Sequence, residues 1–478
     1  MSLGQRAVTS ISWNLGANLV KVFVLLIRSV LLARLLPVET FGVYALATAV
    51  VTFSGILPQW GMAAAFLHRA AETADEERAA AVHFTLRLAL VALWATALIL
   101  TAAIGAAGPS RAALIILTLA YGGIYLTDTG RTLLGRRVQH RRLAIIDLAA
   151  ALATTVVAVA LAARGYGLGA LLATDLVTLA LLVAGLYVWR PVWRPRLLWS
   201  GDTVRYYLRF GSRSMAEAAL TEALDNVDDL WTGATLGTGA LGLYSRAYTF
   251  ATYPRRLLAM PVNAVAGGAY AELKGDRPRL SAAFYTTNAL LVRSGFLLGG
   301  LLVLVAPEFT PLLLGEKWQP MVPALQLMAV FTLLDPIRAT VSSLFAAVGR
   351  PEQVARTRVA QLVVLIAGLY GLGARWGITG VALVVDGMLL LGLAWLLARA
   401  RVYVDYSATR LFGVPVAALA AGVVVALAAQ WLACRAGCPA LWLTGAAKGV
   451  SFGVVYSTVL LVFERDYFRE VRRAVRGS

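Results

Sequence analysis

FGSRSMAEAALTEALDNVDDLWTG, residues 210–233, is the stretch that decides the fold. On an ideal helix, with ~100° between successive residues, its five acidic residues share an arc of about 140° and apolar residues occupy the other side. These acidic residues are Glu217, Glu222, Asp225, Asp228 and Asp229. In a soluble protein such a pattern is an ordinary solvated face. Here the neighbouring segments are apolar runs long enough to cross a bilayer, where carboxylates are costly unless they line an aqueous cavity. We therefore expect a membrane helix with one face on a water-filled cavity.

Composition indicates the same environment. The chain has 478 residues, 59% hydrophobic and only 14% charged, whereas a soluble domain is usually about 25% charged. A net charge of +18 could indicate a nucleic-acid-binding protein. The arginines, however, occur in short clusters between apolar runs, as is typical of cytoplasmic loops under the positive-inside rule. We expect a polytopic membrane protein that resides in the bilayer and binds no nucleic acid.

Apolar runs predict an all-α protein with about fourteen membrane-spanning helices. The predicted spans are 10–34, 41–67, 80–107, 111–134, 143–163, 168–189, 210–233, 240–268, 282–306, 321–348, 355–374, 377–398, 411–433 and 442–463. With the amino terminus inside, the inner segments hold 26 lysines and arginines and the outer segments hold 6. This asymmetry predicts that both termini are cytoplasmic. No signal peptide is expected, because polar residues interrupt the first apolar segment.

An internal repeat predicts the domain organisation. LPVETFGVYALA at 36–47 matches LGTGALGLYSRA at 236–247 without a gap at the Leu, Gly, Tyr and final Ala positions. Six crossings separate the copies, so both have the same orientation, which implies two six-helix bundles related by an axis along the membrane normal. We expect pseudo-symmetric lobes at 1–189 and 210–400 around a central cavity. A cytoplasmic connector at 190–209 would join them, and 401–478 would add two helices and a basic tail.

The first predicted helix carries a polar stripe of its own. Asn14, Asn18, Lys21 and Arg28 recur at spacings of four, three and seven, so they share one face. Snorkelling to the headgroups or pairing with an acid of the bundle are the structural alternatives. Side chains this deep in a span cannot easily reach the headgroups by snorkelling, and this favours their exposure to the cavity. Their natural ligand is an anion.

Other charges inside the spans extend the predicted cavity. Arg246, Arg293 and Arg338 are further candidates for binding an anion. Asp128 and Arg131 are three residues apart, as are Asp335 and Arg338, so each could form an ion pair on one helix face. For these pairs a structural role explains the pattern as well as substrate contact does.

Three isolated features give weaker indications. Lys448, alone in the last span, indicates packing at a cavity edge. Cys434 and Cys438 in the last outer loop could form a disulfide or remain free thiols. The three histidines lack metal-like spacing and no phosphate-binding P-loop is present, so we expect no catalytic residue, metal site or cofactor.

Three stretches carry a family resemblance. WNLGANLVKVFVLLIRSVLLARLLPVETFGVYALA, LDNVDDLWTGATLGTGALGLYSRAYTF and LLLGEKWQPMVPALQLMAVFTLLDPIRATVSSLFAAVGRPE occur in order over roughly residues 1–400. Together they resemble the polysaccharide transporters of the multidrug/oligosaccharidyl-lipid/polysaccharide (MOP) flippase superfamily, especially exporters of the colanic-acid and teichuronic-acid type.

The resemblance implies a cargo, undecaprenyl-diphosphate-linked oligosaccharide, flipped across the bacterial cytoplasmic membrane for lipopolysaccharide or exopolysaccharide production. A diphosphate needs fixed cations, which Lys21 and Arg28 can supply. The resemblance also implies alternating access, coupling to Na⁺ or H⁺ through acids of the seventh helix, and association with polysaccharide polymerase machinery. Asp228 matches the family's Asn-x-Asp pattern, whereas Asp229 stands where a neutral or basic residue is common.

Two other functions are compatible with parts of the sequence. A cation-coupled multidrug exporter of the same superfamily would share the fold, but its cargo is usually a cation, which the basic stripe disfavours. A membrane-embedded glycan polymerase or ligase is the enzyme alternative. Such an enzyme needs a sizeable outer catalytic loop, and the longest one here, 306–320, offers only Glu308, Glu316 and Lys317 as charged residues.

Overall fold

The chain folds into long helices. The computed structural model describes residues 3–68, 75–137, 139–435, 437 and 440–465, and within them the side chains of all but 3–15, 17, 68, 213, 257–261, 264–265 and 331–332. Over these residues it contains sixteen α-helices and no strand. They are α1 Leu3–Leu35, α2 Val38–Ser54, α3 Ile56–Gln59, α4 Met62–His68, α5 Glu76–Gly105, α6 Gly108–Arg136, α7 His140–Ala163, α8 Leu168–Val183, α9 Gly201–Thr235, α10 Gly237–Leu273, α11 Arg277–Phe309, α12 Val322–Ala347, α13 Pro351–Gly368, α14 Ala374–Ala400, α15 Ala408–Arg435 and α16 Leu441–Phe463.

The helices confirm the prediction of an all-α polytopic membrane protein. Every predicted span coincides with one long helix, except that the second is divided among α2, α3 and α4. Within the described residues, ten segments are long and apolar enough to cross a membrane, and one of them contains both α13 and α14. The helical path of α14 is interrupted at Gly377, whose φ of 57° few other residues tolerate. Helices α1, α9 and α10 are not among the ten, and they are the helices on which the sequence places its polar stripe, its acidic cluster and Arg246.

The first compact unit is Met1–Ser245. In it α1 packs on α7 and α7 on α8, while α5 packs on α6. Helix α9, which carries the acidic cluster, packs against α2, α4 and α5. The start of α10 belongs to this unit as well. The predicted division into lobes at 190–209 stays a prediction, because lobes are defined by how they move during transport, and helix packing in one conformation does not test that movement.

The second compact unit is Arg246–Ser478. Helix α11 packs against α12, α15 and α16, and α12 packs against α14. Glycines permit these close approaches: a Cβ at Gly300 would overlap the Phe452 ring and one at Gly422 would lie 2.7 Å from it. Small residues at helix contacts are typical of membrane bundles.

Lys448 in α16 is buried and makes an ion pair, at 2.6 Å, with the buried carboxylate of Glu308 in α11. The sequence indicated packing for Lys448, and its partner shows that it joins two helices. Removing one member of a buried ion pair leaves an uncompensated charge, which costs about 3–5 kcal/mol.

We expect Lys448→Met to lower the free energy of unfolding by about that amount. Thermal unfolding of the purified protein in detergent measures the loss. The double variant Lys448→Met with Glu308→Gln removes both charges and should recover most of the stability. If the double variant were as unstable as the single one, the loss would come from packing and not from the unpaired carboxylate.

Candidate functional site

The polar stripe of α1 faces the neighbouring helix α7. The Lys21 ammonium lies 3.7 Å from the Asp147 carboxylate, and the Arg28 guanidinium donates a hydrogen bond of 3.1 Å to the Thr154 hydroxyl. Phe23 and Ile27 of α1 are exposed instead, at 62% and 41%. Lys21 and Arg28 therefore lie on the bundle side of the helix, and Lys21 makes the pair with an acid of the bundle that was the structural alternative. Exposure of the two cations to a central cavity stays a prediction. Asn18 is half-buried, and the side chain of Asn14 lies outside the described set.

Asp147 is shared between two basic residues. Besides Lys21, the Arg131 guanidinium of α6 contacts it at 3.1 Å. Lys21 and Arg131 remain 35% and 34% exposed, and one carboxylate cannot compensate two cations. This group, Lys21, Arg131 and Asp147, is called the first basic cluster, and it keeps one net positive charge inside the first unit.

A similar group, the second basic cluster, lies in the second unit. Asp335 of α12 is fully buried and pairs with the Arg255 guanidinium at 2.8 Å and the Arg338 guanidinium at 2.6 Å. The Asp335–Arg338 pair confirms the spacing argument. Arg255 was missed, although an arginine pair at 255–256 within the apolar span 240–268 was a usable signal. The two arginines are 33% and 22% exposed and share the one buried carboxylate.

The acidic residues of α9 do not share one environment. Glu217 and Asp225 are exposed and Glu222 and Asp229 are half-buried. The Asn226 amide, itself anchored by the Thr52 hydroxyl at 2.8 Å, donates to Glu222 at 3.0 Å. Four of the five carboxylates are thus at least partly exposed, and the cavity-lining face stays a prediction. Asp228 is buried instead, with an exposed fraction of 6%.

The sequence repeat explains a close contact within the first unit. A Cβ added to Gly42 would overlap the backbone carbonyl of Thr238, and one added to Gly242 would overlap that of Val38. The start of α2 therefore packs on the start of α10 in a reciprocal way, with each repeat's glycine against the other repeat's backbone. We call this the glycine contact. Only a residue without a Cβ permits backbones to approach so closely.

The repeat tyrosines each bind a carboxylate. The Tyr44 hydroxyl donates to Asp175 at 2.8 Å, and the Tyr244 hydroxyl donates to the buried Asp228. Asp175 also accepts a weaker hydrogen bond from Thr174 at 3.4 Å. The other carboxylate oxygen of Asp228 has no hydrogen-bond partner among the described residues. Asp228 therefore depends on its tyrosine more than Asp175 does.

We expect Tyr244→Phe to destabilise the protein by about 1–3 kcal/mol, because it removes a donor from a buried carboxylate. Tyr44→Phe is the matched comparison and should cost less, since Thr174 remains near Asp175. Thermal unfolding of both variants tests the ranking. In an Asp228→Asn background the effect of Tyr244→Phe should shrink, and an undiminished effect would show that the hydroxyl acts through another partner.

The remaining charged residues named from the sequence lie in different settings. The buried Arg293 guanidinium makes two hydrogen bonds to the Glu464 carboxylate, one of them 2.6 Å long. Arg246 is half-buried at the start of the second unit. Asp128 does not pair with Arg131, as its spacing allowed, but with the buried Arg87 of α5 at 3.3 Å. Contacts between helices, which spacing within one helix cannot reveal, decide these partners.

A disulfide and free thiols both stay open for the two cysteines of the last outer loop. Cys434 is exposed at the end of α15. Cys438 lies outside the described residues.

Comparison with known proteins identifies the family. Residues 31–323 match the family described as polysaccharide biosynthesis protein. The chain belongs to this family. The match covers α2 to α11, and so includes both repeats and the acidic helix α9.

Relatives of this polysaccharide biosynthesis protein agree with the assignment. The chain is 28% identical to the lipopolysaccharide biosynthesis protein WzxC of Escherichia coli strain K12, over 80% of this chain and 78% of that one. It is 29% identical to the succinoglycan biosynthesis transport protein ExoT of Rhizobium meliloti strain 1021, over 63% and 61%. These matches confirm the expected class, a membrane transporter and not an enzyme.

A solved structure shows the same fold. The lipid II flippase MurJ in an inward closed conformation superimposes with a TM-score of 0.74 over 96% of this chain and 100% of the other, at 13% identity. The likeness confirms the all-α polytopic fold that the sequence predicted.

Proposed function

We propose that this protein flips an undecaprenyl-diphosphate-linked oligosaccharide from the inner to the outer face of the bacterial cytoplasmic membrane. The observation that carries the proposal is that each basic cluster has two partly exposed cations that share one carboxylate. A diphosphate is the part of such a cargo that needs cations, and lysine and arginine are the side chains that bind it. The family assignment and the names of WzxC, ExoT and MurJ support a cargo of this class.

The proposed diphosphate site centres on Lys21 and Arg28. Asn14 and Asn18, from the same stripe, would contact the sugars, and Arg246, Arg293 and Arg338 are further proposed cationic contacts. Arg338 belongs to the second basic cluster, where it shares the Asp335 carboxylate with Arg255. Arg293 is the weakest of these proposals, because Glu464 already compensates its charge.

Alternating access would require the glycine contact to open and close. The starts of α2 and α10 follow the first and seventh spans, whose far ends are outside when both termini are cytoplasmic. The glycine contact would then be the outer gate, closed in the conformation described. Reciprocal packing of the two repeats is the arrangement expected of a gate between pseudo-symmetric lobes.

Coupling to Na⁺ or H⁺ is proposed for the acids of α9. Asp228, with one oxygen on Tyr244 and the other without a hydrogen bond, is the proposed ion-binding residue, and Asp225 lies one turn away. Glu217, Glu222 and Asp229 extend the negative face. One elementary charge moved through the membrane potential is worth about 2.3 kcal/mol per 100 mV, enough to bias the cycle.

The multidrug-exporter alternative is less well supported. A cationic drug would meet two clusters in each of which two cations share one carboxylate, and repulsion at short range is costly in a medium of low dielectric constant. The acidic face of α9 is the part of the described chain that would suit such a cargo.

Transport of purified lipid-linked oligosaccharide in proteoliposomes tests the proposal. The protein should expose the glycan to an enzyme outside the vesicle, and a strain lacking the gene should accumulate the lipid-linked glycan on the cytoplasmic side. An unchanged glycan pool in that strain, together with no flipping in vitro, would refute the proposed cargo. If the flipping rate depended on neither a Na⁺ gradient nor a pH gradient, the proposed ion coupling would be refuted, whereas the proposed cargo would stand.

A further inference from the structure

A groove of about 810 Å³ lies within the second unit, apart from both basic clusters. Its walls come from the first turns of α11, the 401–407 segment, the start of α15 and the end of α16. Ser281, Tyr285, Ser407 and Arg410 contribute polar groups to its lining, and Val414 and Phe463 contribute apolar ones. We call it the α11–α15 groove.

The polar end of this groove carries one uncompensated positive charge. Arg293 is compensated by Glu464, and Asp405 is compensated by Arg277, whose guanidinium binds it at 2.8 Å and 3.0 Å. Arg410 is exposed and makes no ion pair within the described part of the chain. The groove is thus electrostatically suited to a ligand with a single negative charge.

Two further donors lie beside Arg410. The Ser407 hydroxyl accepts from the Arg410 backbone N–H at 3.3 Å and lies 2.8 Å from the Thr409 hydroxyl, so it retains hydrogen-bonding capacity toward the groove. The N-terminus of the 28-residue helix α15 forms the same wall, and the positive end of a helix dipole favours an anion. A phosphate group satisfies this set of donors.

The rest of the groove is open and is lined by the Arg293–Glu464 ion pair together with exposed apolar side chains. Phe463 is 72% exposed, and Leu290, one turn beyond the groove residue Thr286 on α11, is 46% exposed. The polar end adjoins the arginine-rich ends of the helices, which the positive-inside rule places at the inner surface. The groove therefore runs from the exposed Arg410 at the headgroup level towards Phe463, where a compensated ion pair and exposed apolar side chains adjoin the acyl chains.

We propose that the α11–α15 groove binds an anionic phospholipid of the inner leaflet, with its phosphate on Arg410 and Ser407 and an acyl chain along Val414 and Phe463. The charge of the groove favours phosphatidylglycerol over phosphatidylcholine, because the phosphatidylcholine headgroup has no net charge. The bound lipid would bridge α11, α15 and α16, three helices that do not carry the proposed diphosphate site at Lys21 and Arg28.

Native mass spectrometry of the full chain tests this site after reconstitution in nanodiscs of four parts phosphatidylcholine to one part phosphatidylglycerol. The protein should retain one phosphatidylglycerol, and Arg410→Gln should lower that retention about tenfold, as loss of a charge-assisted phosphate contact predicts. Arg399→Gln is the matched control. It removes an exposed arginine from the same end of the bundle but outside the groove, and should leave retention unchanged.

Three outcomes would overturn the proposal. Equal retention by the Arg410→Gln and Arg399→Gln variants would mean that the lipid is held elsewhere. Displacement of the lipid by inorganic phosphate would indicate a site for a free anion. Preferential displacement by undecaprenyl phosphate would assign the groove to the cargo lipid. The outcomes do not depend on flipping activity, so they remain informative if the proposed function fails.

Discussion

Replacing Lys21 and Arg28 together with alanine is expected to reduce flipping by at least about a hundredfold, because each contact of a cation with the diphosphate is worth about 1.5–3 kcal/mol. Folding should be retained. Asp147 keeps Arg131 at 3.1 Å after the loss of Lys21, and Thr154 keeps its hydrogen bond to the Ala151 carbonyl after the loss of Arg28. After the change Asp147 still pairs with Arg131, and Asp175, the carboxylate that lies near Arg28, still accepts the Tyr44 hydrogen bond.

The matched control is the double variant Arg164→Ala with Arg375→Ala. Both arginines are exposed near helix ends, so the net charge changes equally while the proposed site stays intact. Initial flipping rates in proteoliposomes, normalised to folded protein, give the comparison. Equal flipping rates for the two double variants would show that Lys21 and Arg28 do not bind the anion and have a structural role instead.

Replacing Gly42 with alanine is expected to abolish transport, and Gly242→Ala should have a similar effect. In each case the new methyl group would overlap a backbone carbonyl, of Thr238 or Val38. A backbone carbonyl in a helix cannot rotate away as a side chain can, so α2 and α10 must separate. If the glycine contact is the outer gate, these variants cannot close it and the cycle stops with the gate open.

Gly239→Ala is the control for this prediction. It lies in the same segment, and a Cβ there would meet no atom within 4 Å. Double electron–electron resonance measures the distance between spin labels attached to cysteines introduced at Glu39 and Thr235, in a variant that lacks the native cysteines. This distance should be longer in Gly42→Ala than in Gly239→Ala. A Gly42→Ala protein that transports at the normal rate would show that the contact is not a gate.

Much of the architecture followed from sequence patterns because it depends on local physics. Apolar length predicted the spans, since a helix must satisfy its own backbone groups in lipid. The spacing of Asn18, Lys21 and Arg28 predicted a shared face, and the structure places the two cations on the bundle side. The repeat singled out Gly42 and Tyr44 with their counterparts, but it could not say what they contact.

Partners between helices could not be predicted in the same way. Asp128 was within reach of Arg131 on its own helix, yet it pairs with Arg87, and Arg131 pairs with Asp147 of the next long helix. An ion pair in a membrane bundle depends on how helices rotate and tilt against each other, which no spacing within one helix specifies. Arg255 escaped notice for the same reason, because only its contact with Asp335 shows its importance.

The sequence by itself determined that this protein is a polytopic, all-helical membrane protein, because apolar length, loop charge and periodicity act through each helix alone. Only the tertiary structure decided which acids compensate which bases, and therefore where positive charge remains in excess. It also showed that Gly42 and Gly242, which are far apart in the sequence, belong to one reciprocal contact. Electrostatic balance and close approach are properties of neighbouring helices, and they exist only once those helices have packed.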